Sequence, residues 1–402
     1  MSSPSVLLAV LITSLVALGP LSTDFYLPAL PAITAAFDTD VGTTQLTLSV
    51  FLIGFGVGQL AYGPLSDRFG RRPVLLAGLI AYVLATVVCA FAPSIETLIA
   101  ARFLQSLGAC AGPVLGRTIV RDLYGPRESA RVLSYMSSAM ALASLVGPFL
   151  GGVLTVWLGW QATFAFLVLF STTQAFMVWR ILFETNANPD PDAIRPARML
   201  SNFAVLSRDL RFRGLLLCNA FSYAGLMAFI SGAPFVFIGI FGFSPQLMGL
   251  AFSVMVSGYI VGTMLSGRFS RRMGAARLLY AGGWVGALGG TTMLMLALAE
   301  VLHPAAVMAP MWLVSASIGL VMPNATALAL APYPRMAGSA ASLLGFVQMG
   351  LAAVFGVAVG QTLGDTYLPV AIGVGTGGVG CLLSYFIWVR GALGGSDAGN
   401  PG

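Results

Sequence analysis

Two side chains of opposite charge stand inside long apolar stretches. Asp24 lies in Ser22-Thr23-Asp24-Phe25-Tyr26-Leu27-Pro28, and Arg102 in Arg102-Phe103-Leu104-Gln105-Ser106-Leu107-Gly108. A guanidinium in hydrocarbon costs ~2.5–3.5 kcal/mol on insertion scales, so it needs a partner or a wet cavity. At ~1.5 Å per residue, Asp24 lies ~26 Å along its run from Leu7. Arg102 lies a few residues inside the outer edge of its own run. The two share a depth, and the expectation is that they face each other. Desolvation favours a neutral carboxyl and a neighbouring arginine favours a charged one. Competition between these effects can bring proton exchange near physiological pH, so the chemistry expected of the pair is proton coupling. The alternative is that Asp24 sits at a membrane interface and only caps or anchors a helix.

Other polar residues within apolar runs are Gln45, Gln59, Gln105, Asn219, Tyr223, Asn324 and Gln348. Each either lines a cavity or hydrogen-bonds between helices. Tyr26, Phe221, Tyr223, Phe229, Phe235 and Phe237 form either an apolar wall for a lipophilic substrate or ordinary packing.

A third constellation is Gly63-Pro64-Leu65-Ser66-Asp67-Arg68-Phe69-Gly70-Arg71-Arg72-Pro73. It reads as a short turn between helices, with Gly63 and Gly70 permitting tight backbone and Pro73 starting the next helix. Asp67 can accept hydrogen bonds from a helix N-terminus of the opposite half. Arg68 and Arg71 can pair with Asp67 or with Asp122 at the end of the fourth apolar run. Such a cluster is either a latch that opens during a cycle or a plain positive anchor. In Ala143-Ser144-Leu145-Val146-Gly147-Pro148-Phe149-Leu150-Gly151-Gly152, small residues allow close helix approach and Pro148 removes a backbone bond.

Other chemistries find no support. Cys89, Cys110, Cys218 and Cys381 match no metal or redox spacing and read as small core residues. The single His303 cannot build a metal site or a Ser-His-Asp triad. No metal, cofactor or nucleic-acid partner is expected. A membrane-embedded enzyme would need a nucleophile or acid pair within the runs, and a channel would need a repeated filter or charged rings.

The elements that must position these residues follow from composition. The chain has 402 residues, 57% hydrophobic and 8% charged. Soluble domains carry about 25% charged residues. The bilayer is therefore the expected solvent, and a spanning helix takes ~20 apolar residues. Twelve runs qualify, at 5–34, 43–64, 73–92, 95–118, 130–156, 160–182, 212–240, 245–266, 274–299, 304–328, 337–362 and 366–390. The first reads as a spanning helix rather than a removed signal peptide. The polar interval 184–211 reads as a linker, which gives bundles at 1–183 and 212–390 and a cytoplasmic tail at 391–402. With both termini cytoplasmic, every arginine except Arg102 falls on the cytoplasmic side or at its helix ends. The chain has no lysine, a bias with no functional explanation in the sequence. Segments 65–72 and 265–272 differ only at Asp67/Gly267 and Gly70/Ser270. That is the mark of parallel repeats, with both copies expected to join the second and third spans of their half. One chain holds both bundles, so a monomer is expected.

The turn motif resembles the G-x-L-x-D-R-x-G-R-R/K loop of the major facilitator superfamily, and Arg102-Phe103-Leu104-Gln105 resembles its R-x-x-Q-G motif. The fifth span resembles the G-x-x-x-G-P-x-x-G-G motif of drug:proton antiporters, with Ala143 for the first glycine. Thr23-Asp24-Phe25-Tyr26-Leu27-Pro28-Ala29-Leu30-Pro31, Pro323-Asn324-Ala325-Thr326-Ala327 and Ile230-Ser231-Gly232-Ala233-Pro234 look like the bicyclomycin- and chloramphenicol-resistance branch. The resemblance implies an all-α membrane fold of twelve helices in two pseudo-symmetric six-helix bundles. It implies a bacterial inner-membrane antiporter that exports small drug-like molecules for protons by alternating access. The family's first and fourth helices line its central cavity, which would bring Asp24 and Arg102 together. A carrier of a small metabolite, such as an amino acid or sugar, is the alternative within the same fold.

Overall fold

The computed structural model describes residues 6–123, 126–186, 189–191, 193–333 and 336–391. Asn188, Asp192, Arg335 and the tail from 392 lie outside the described residues, as do the side chains of Arg127, Arg131, Arg198 and Arg271. Among the described residues every regular element is helical.

The first six long helices are α1 (Leu7–Ala36), α2 (Val41–Phe69), α3 (Arg71–Ala90), α4 (Ile95–Leu123), α5 (Pro126–Leu158) and α6 (Gln161–Ile181). A short α7 (Pro196–Arg208) follows. Then come α8 (Leu210–Ile240), α9 (Pro245–Met273), α10 (Ala275–Leu298), α11 (Pro304–Leu330), α12 (Ala337–Thr362) and α13 (Leu368–Val389). Eleven of these are long and apolar enough to cross a membrane over their described residues. The twelfth, α5, contributes its apolar stretch Leu142–Leu158. The polar interval 184–211 is thus not bare linker, because α7 occupies its second half.

Outward-facing positions are apolar: Leu84 is 63% exposed, Leu288 61% and Ile387 62%. Water would not tolerate such a surface around a whole molecule, whereas lipid tails do.

The described residues divide at Arg195/Pro196 into two compact units, the first also taking Ser244–Leu250. In the first unit α3 packs on α4 and α6, α2 on α4, and α1 on α5. In the second unit the same pairings recur one half later: α10 on α11 and α13, and α8 on α12.

The repeat has a different register in structure than in sequence. Helices α2 and α9 each have 29 residues, and each ends on a positive-φ glycine, Gly70 (φ 96°) and Gly274 (φ 78°). Close-approach glycines obey the same spacing: Gly54 and Gly58 of α2 pack against α4, and Gly258 and Gly262 of α9 against α11, with under 3.0 Å for a Cβ at each. Equivalent positions are therefore 204 residues apart, against 200 for the basic motif. The difference is close to one helical turn of ~3.6 residues, which returns the arginines to nearly the same face. Segment 265–272 is accordingly not an inter-helix turn like 65–72. It lies wholly inside α9.

Ends of helices are capped locally. Asp40 accepts the N–H of Thr43 at 2.9 Å, and Ser94 accepts that of Thr97 at 3.3 Å. His303 Nδ1 accepts the N–H of Ala305 at 3.1 Å and so caps α11. In the second unit Asp209 caps α8 through Arg211 N (2.7 Å) and Phe212 N (3.2 Å), and it also accepts the Tyr333 hydroxyl. Burial pushes the Asp209 carboxyl up, but the Tyr333 hydroxyl and the two amides outweigh it and hold it below the usual carboxylate range. A depressed folded-state pKa means a contribution present at neutral pH and lost as pH falls through that value. Asp209→Ala is expected to lower stability by about 1 kcal/mol at pH 7, the usual worth of an N-cap. Thermal unfolding in detergent at pH 7 and at the acid limit of solubility should show the mutant's deficit shrinking in acid.

Candidate functional site

The first helix does not run straight through its candidate carboxyl. Helix Val6–Asp24 ends there, a 3-10 turn covers Leu27–Ala29, and helix resumes at Leu30–Ala36. Pro28 and Pro31 account for the break, since neither can donate a backbone hydrogen bond. Asp24 is 5% exposed and faces α5. Its Oδ1 accepts the Thr23 hydroxyl at 3.1 Å, the Ser144 hydroxyl of α5 lies beside it, and Oδ2 accepts no hydrogen bond among the described residues.

The small residues of α5 make this contact possible. A Cβ on Gly147 would come 3.0 Å from Asp24 Cβ. One on Gly151 would come 2.3 Å from the Phe25 carbonyl oxygen. Gly152 and Pro148 are buried on the same helix. An apolar hollow of about 320 Å³ opens alongside, walled by Leu21, Phe25, Val146 and Phe166. The obstacle at Gly151 is backbone, which cannot rotate away. Gly151→Ala should therefore force α1 and α5 apart and cost about 1–3 kcal/mol, read as a lowered melting temperature in detergent.

Arg102 is fully buried, and its partner is not Asp24. Its Nη1 donates to Gln105 Oε1 at 2.6 Å and to the Ser22 carbonyl at 3.1 Å. Its guanidinium lies 4.4 Å from the Tyr26 ring centre, 4.3 Å from Phe51 and 5.9 Å from Phe164. Nε and Nη2 have no hydrogen-bond partner among the described residues. The expected facing of Asp24 and Arg102 is thus corrected. Equal depth does not imply equal face, and the Ser22 carbonyl together with the aromatic rings takes up the guanidinium. Around it, Gln105 Nε2 donates to Thr86 Oγ1 (2.9 Å), Ser22 bonds the Tyr82 hydroxyl (2.7 Å) and Tyr26 bonds Thr47 Oγ1 (2.6 Å). Gln105 and Tyr26 are therefore parts of this inner network rather than open walls. Ser22, Phe51, Tyr82, Thr86 and Phe164 were not legible as its members, because a hydroxyl or ring in an apolar run carries no signal of its neighbour.

The remaining polar candidates are scattered. Gln45 is buried, and both its amide atoms are unpartnered among the described residues. Asn219 Nδ2 donates to Thr326 Oγ1 at 3.1 Å, while its Oδ1 is unpartnered. Asn324 Nδ2 donates to Ser266 Oγ at 2.7 Å. Gln348 is 8% exposed and Tyr223 is half-buried.

The turn motif forms the expected charge cluster, with different backbone. Helix α2 continues through Gly63 to Phe69, and a Cβ on Gly63 would meet nothing within 4 Å. Tight backbone is thus required only at Gly70. Arg71 bridges two acids: Nη1 to Asp67 Oδ1 at 2.5 Å and Nε to Asp122 Oδ2 at 3.1 Å, with Ser66 Oγ at 2.6 Å from Nη1. The side chain of Arg71 is 7% exposed, Asp67 49% and Asp122 20%. Partly exposed pairs are worth about 0.2–1 kcal/mol each, a size that a conformational cycle can break and remake. Arg68 joins neither acid: its Nη1 makes a long contact of 3.4 Å to the Pro191 carbonyl, and its guanidinium lies 5.2 Å from the Phe69 ring centre.

Apolar helices around a buried guanidinium, a buried carboxyl and a salt-bridged helix turn define a polytopic membrane protein. The Major Facilitator Superfamily profile matches residues 12–357. A bicyclomycin resistance protein homologue of Haemophilus influenzae is 30% identical over 370 residues, 92% of each chain. A chloramphenicol resistance protein of Pseudomonas aeruginosa is 35% identical over 341 residues, 83% of this chain and 79% of that one. The structure of the xylose transporter XylE of Escherichia coli superimposes with a TM-score of 0.75 at 13% identity, over 95% of this chain and 97% of that one. The chain belongs to the major facilitator superfamily, a family of transporters rather than enzymes.

Proposed function

We propose that this protein exports small lipophilic antibiotics across the bacterial inner membrane in exchange for protons, working as a monomer by alternating access. The observation that carries the proton part is the buried Asp24 carboxyl packed on Gly147, in the glycine-proline segment of α5. A carboxyl that changes burial during a cycle takes up and releases a proton with that change. The α1–α5 contact is thereby linked to protonation without any help from an ion pair. The relatives named for bicyclomycin and chloramphenicol resistance support the drug class. Arg71, Asp67 and Asp122 then act as the latch of the cytoplasmic side, with both termini and the 184–211 interval on that side. Gln45, Asn219, Tyr223, Asn324 and Gln348 are the candidate drug contacts.

Everted vesicles loaded with protons test this reading. Chloramphenicol should accumulate inside them against its gradient and leave when a protonophore is added. Drug-independent proton leakage with no chloramphenicol accumulation, alongside accumulation of an amino acid or sugar, would overturn it in favour of a metabolite carrier.

A further inference from the structure

Helix α3 begins without a cap of its own. Its preceding residue, Gly70, has no side chain, so the first N–H groups of α3 would be orphaned. Glu184, just past the end of α6, supplies what is missing. Its Oε1 accepts Arg71 N–H at 2.8 Å and its Oε2 accepts Arg72 N–H at 3.2 Å. The same Oε1 gathers the N–H groups of Thr185 (2.9 Å) and Asn186 (2.8 Å), so four backbone donors converge on one carboxylate. Glu184 Oε2 lies 2.5 Å from where a Cβ on Gly70 would stand. Gly70 is therefore required twice, by its positive φ and by the carboxylate lying against it.

The residues that follow fasten the other side of the turn. Asn186 Nδ2 donates to the Asp67 carbonyl at 2.9 Å, and Asp190 N–H donates to the same oxygen at 3.0 Å. Thr185 Oγ1 reaches Asp122 Oδ2 at 3.4 Å, and Arg72 Nη2 donates to the Trp179 carbonyl at 2.7 Å. This strap thus touches the backbone of Asp67, the backbone of Arg71 and the side chain of Asp122.

We propose that Glu184 and Asn186 are the positioning residues of the latch, fixing the backbone of Asp67 and Arg71 so that one guanidinium spans both acids. The proposal rests on the latch reading of Asp67, Arg71 and Asp122 given above. Its physical basis is reach. Arg71 makes three contacts with one planar group, and a small rotation of the first turn of α3 would break at least one of them.

Hydrogen exchange on the purified protein in lipid nanodiscs reads the positioning without any drug. Glu184→Ala should make the amides of Arg71 and Arg72 exchange about fivefold faster, the scale of a lost cap. Glu184→Gln keeps a carbonyl acceptor and should recover most of that protection. Chloramphenicol uptake into everted vesicles supplies the second reading, normalised to folded protein. Glu184→Ala should lower the maximal rate and leave KM unchanged, whereas a merely structural residue would lower the folded amount and leave turnover intact. Should Glu184→Ala fail to fold, Asn186→Ala tests the same strap through the Asp67 carbonyl. Wild-type exchange at 71–72, or wild-type turnover per folded molecule, overturns the proposal. Asp67→Asn, assayed alongside, separates the two ideas. If it transports normally, the latch reading itself falls. If it is inactive while Glu184→Ala transports like wild type, only the positioning role falls.

Discussion

Asp24→Asn is expected to insert, fold and bind drug, and to export none of it on a proton gradient. The substitution keeps the shape of the side chain at the α1–α5 contact, where Gly147 leaves 3.0 Å for a Cβ. It keeps an oxygen that can accept the Thr23 hydroxyl, as Oδ1 does at 3.1 Å. What it removes is the exchangeable proton. A ligand of equal affinity for two states shifts neither, and an amide that never titrates gives the gradient no handle on the equilibrium. Proton-driven chloramphenicol uptake into everted vesicles should fall to the background of vesicles lacking the protein. Drug-driven exchange without a gradient, and the melting temperature in detergent, should stay near wild type. Retained uphill export by this variant would remove Asp24 from the coupling step.

The second large effect is expected at Arg102, and it separates stability from transport. A buried guanidinium carries a desolvation cost of several kcal/mol even after relaxation. Against that stand two charge-assisted hydrogen bonds of about 1.5–3 kcal/mol each. Two close aromatic faces add up to about 2 kcal/mol each when desolvated. These terms are of similar size, and the unpartnered Nε and Nη2 count against the arginine. Arg102→Met, which refills the space between Tyr26 and Phe51, should therefore change stability by less than about 2 kcal/mol. Arg102→Ala should cost about 3–5 kcal/mol, because it also leaves a cavity between the rings. Arg102→Lys should not substitute, since an ammonium cannot lie flat between two rings and reach Gln105 Oε1 and the Ser22 carbonyl together. All three variants should lose proton-driven uptake, because each releases the Ser22 carbonyl, two residues before Asp24, from the guanidinium that holds it. Thermal unfolding and vesicle transport, run on the same preparations, check both halves. An Arg102→Met protein that transports normally would reduce the arginine to packing.

These two residues also mark how far the chain could be read in advance. Both were found because charge in an apolar run is expensive, and that cost is visible in one dimension. Their pairing was not, because depth along a helix is set by residue count while facing is set by rotation and by neighbours. The break at Pro28 and Pro31 turns the end of α1, so that Asp24 meets Gly147 while the Ser22 carbonyl meets Arg102. The Gly-Pro-x-x-Gly-Gly segment reads as a helix–helix contact, but its partner, the carbonyl of Phe25, leaves no trace in the sequence.

The turn motif shows the same division. Asp67, Arg71 and Asp122 could be named as a cluster because opposite charges at the ends of consecutive spans must lie near one another. Glu184 could not, since it works by accepting N–H groups from residues more than a hundred positions away. Backbone donors belong to every residue, so no pattern announces them. The repeat was visible as shared Leu, Ser, Phe and Arg at a spacing of 200. Its true register needed the glycines that meet across helices, 204 apart.

The amino-acid sequence alone determined that this chain belongs in a bilayer, that about a dozen of its runs are apolar enough to approach a span, and which few residues carry charge there. Hydrophobic run length and the cost of charge in lipid act residue by residue, and they need no fold to be evaluated. Only the tertiary structure decided what each of those charges touches. A helix can rotate about its axis or slip by a turn at little change in its own pattern, and packing against its neighbours is what settles both.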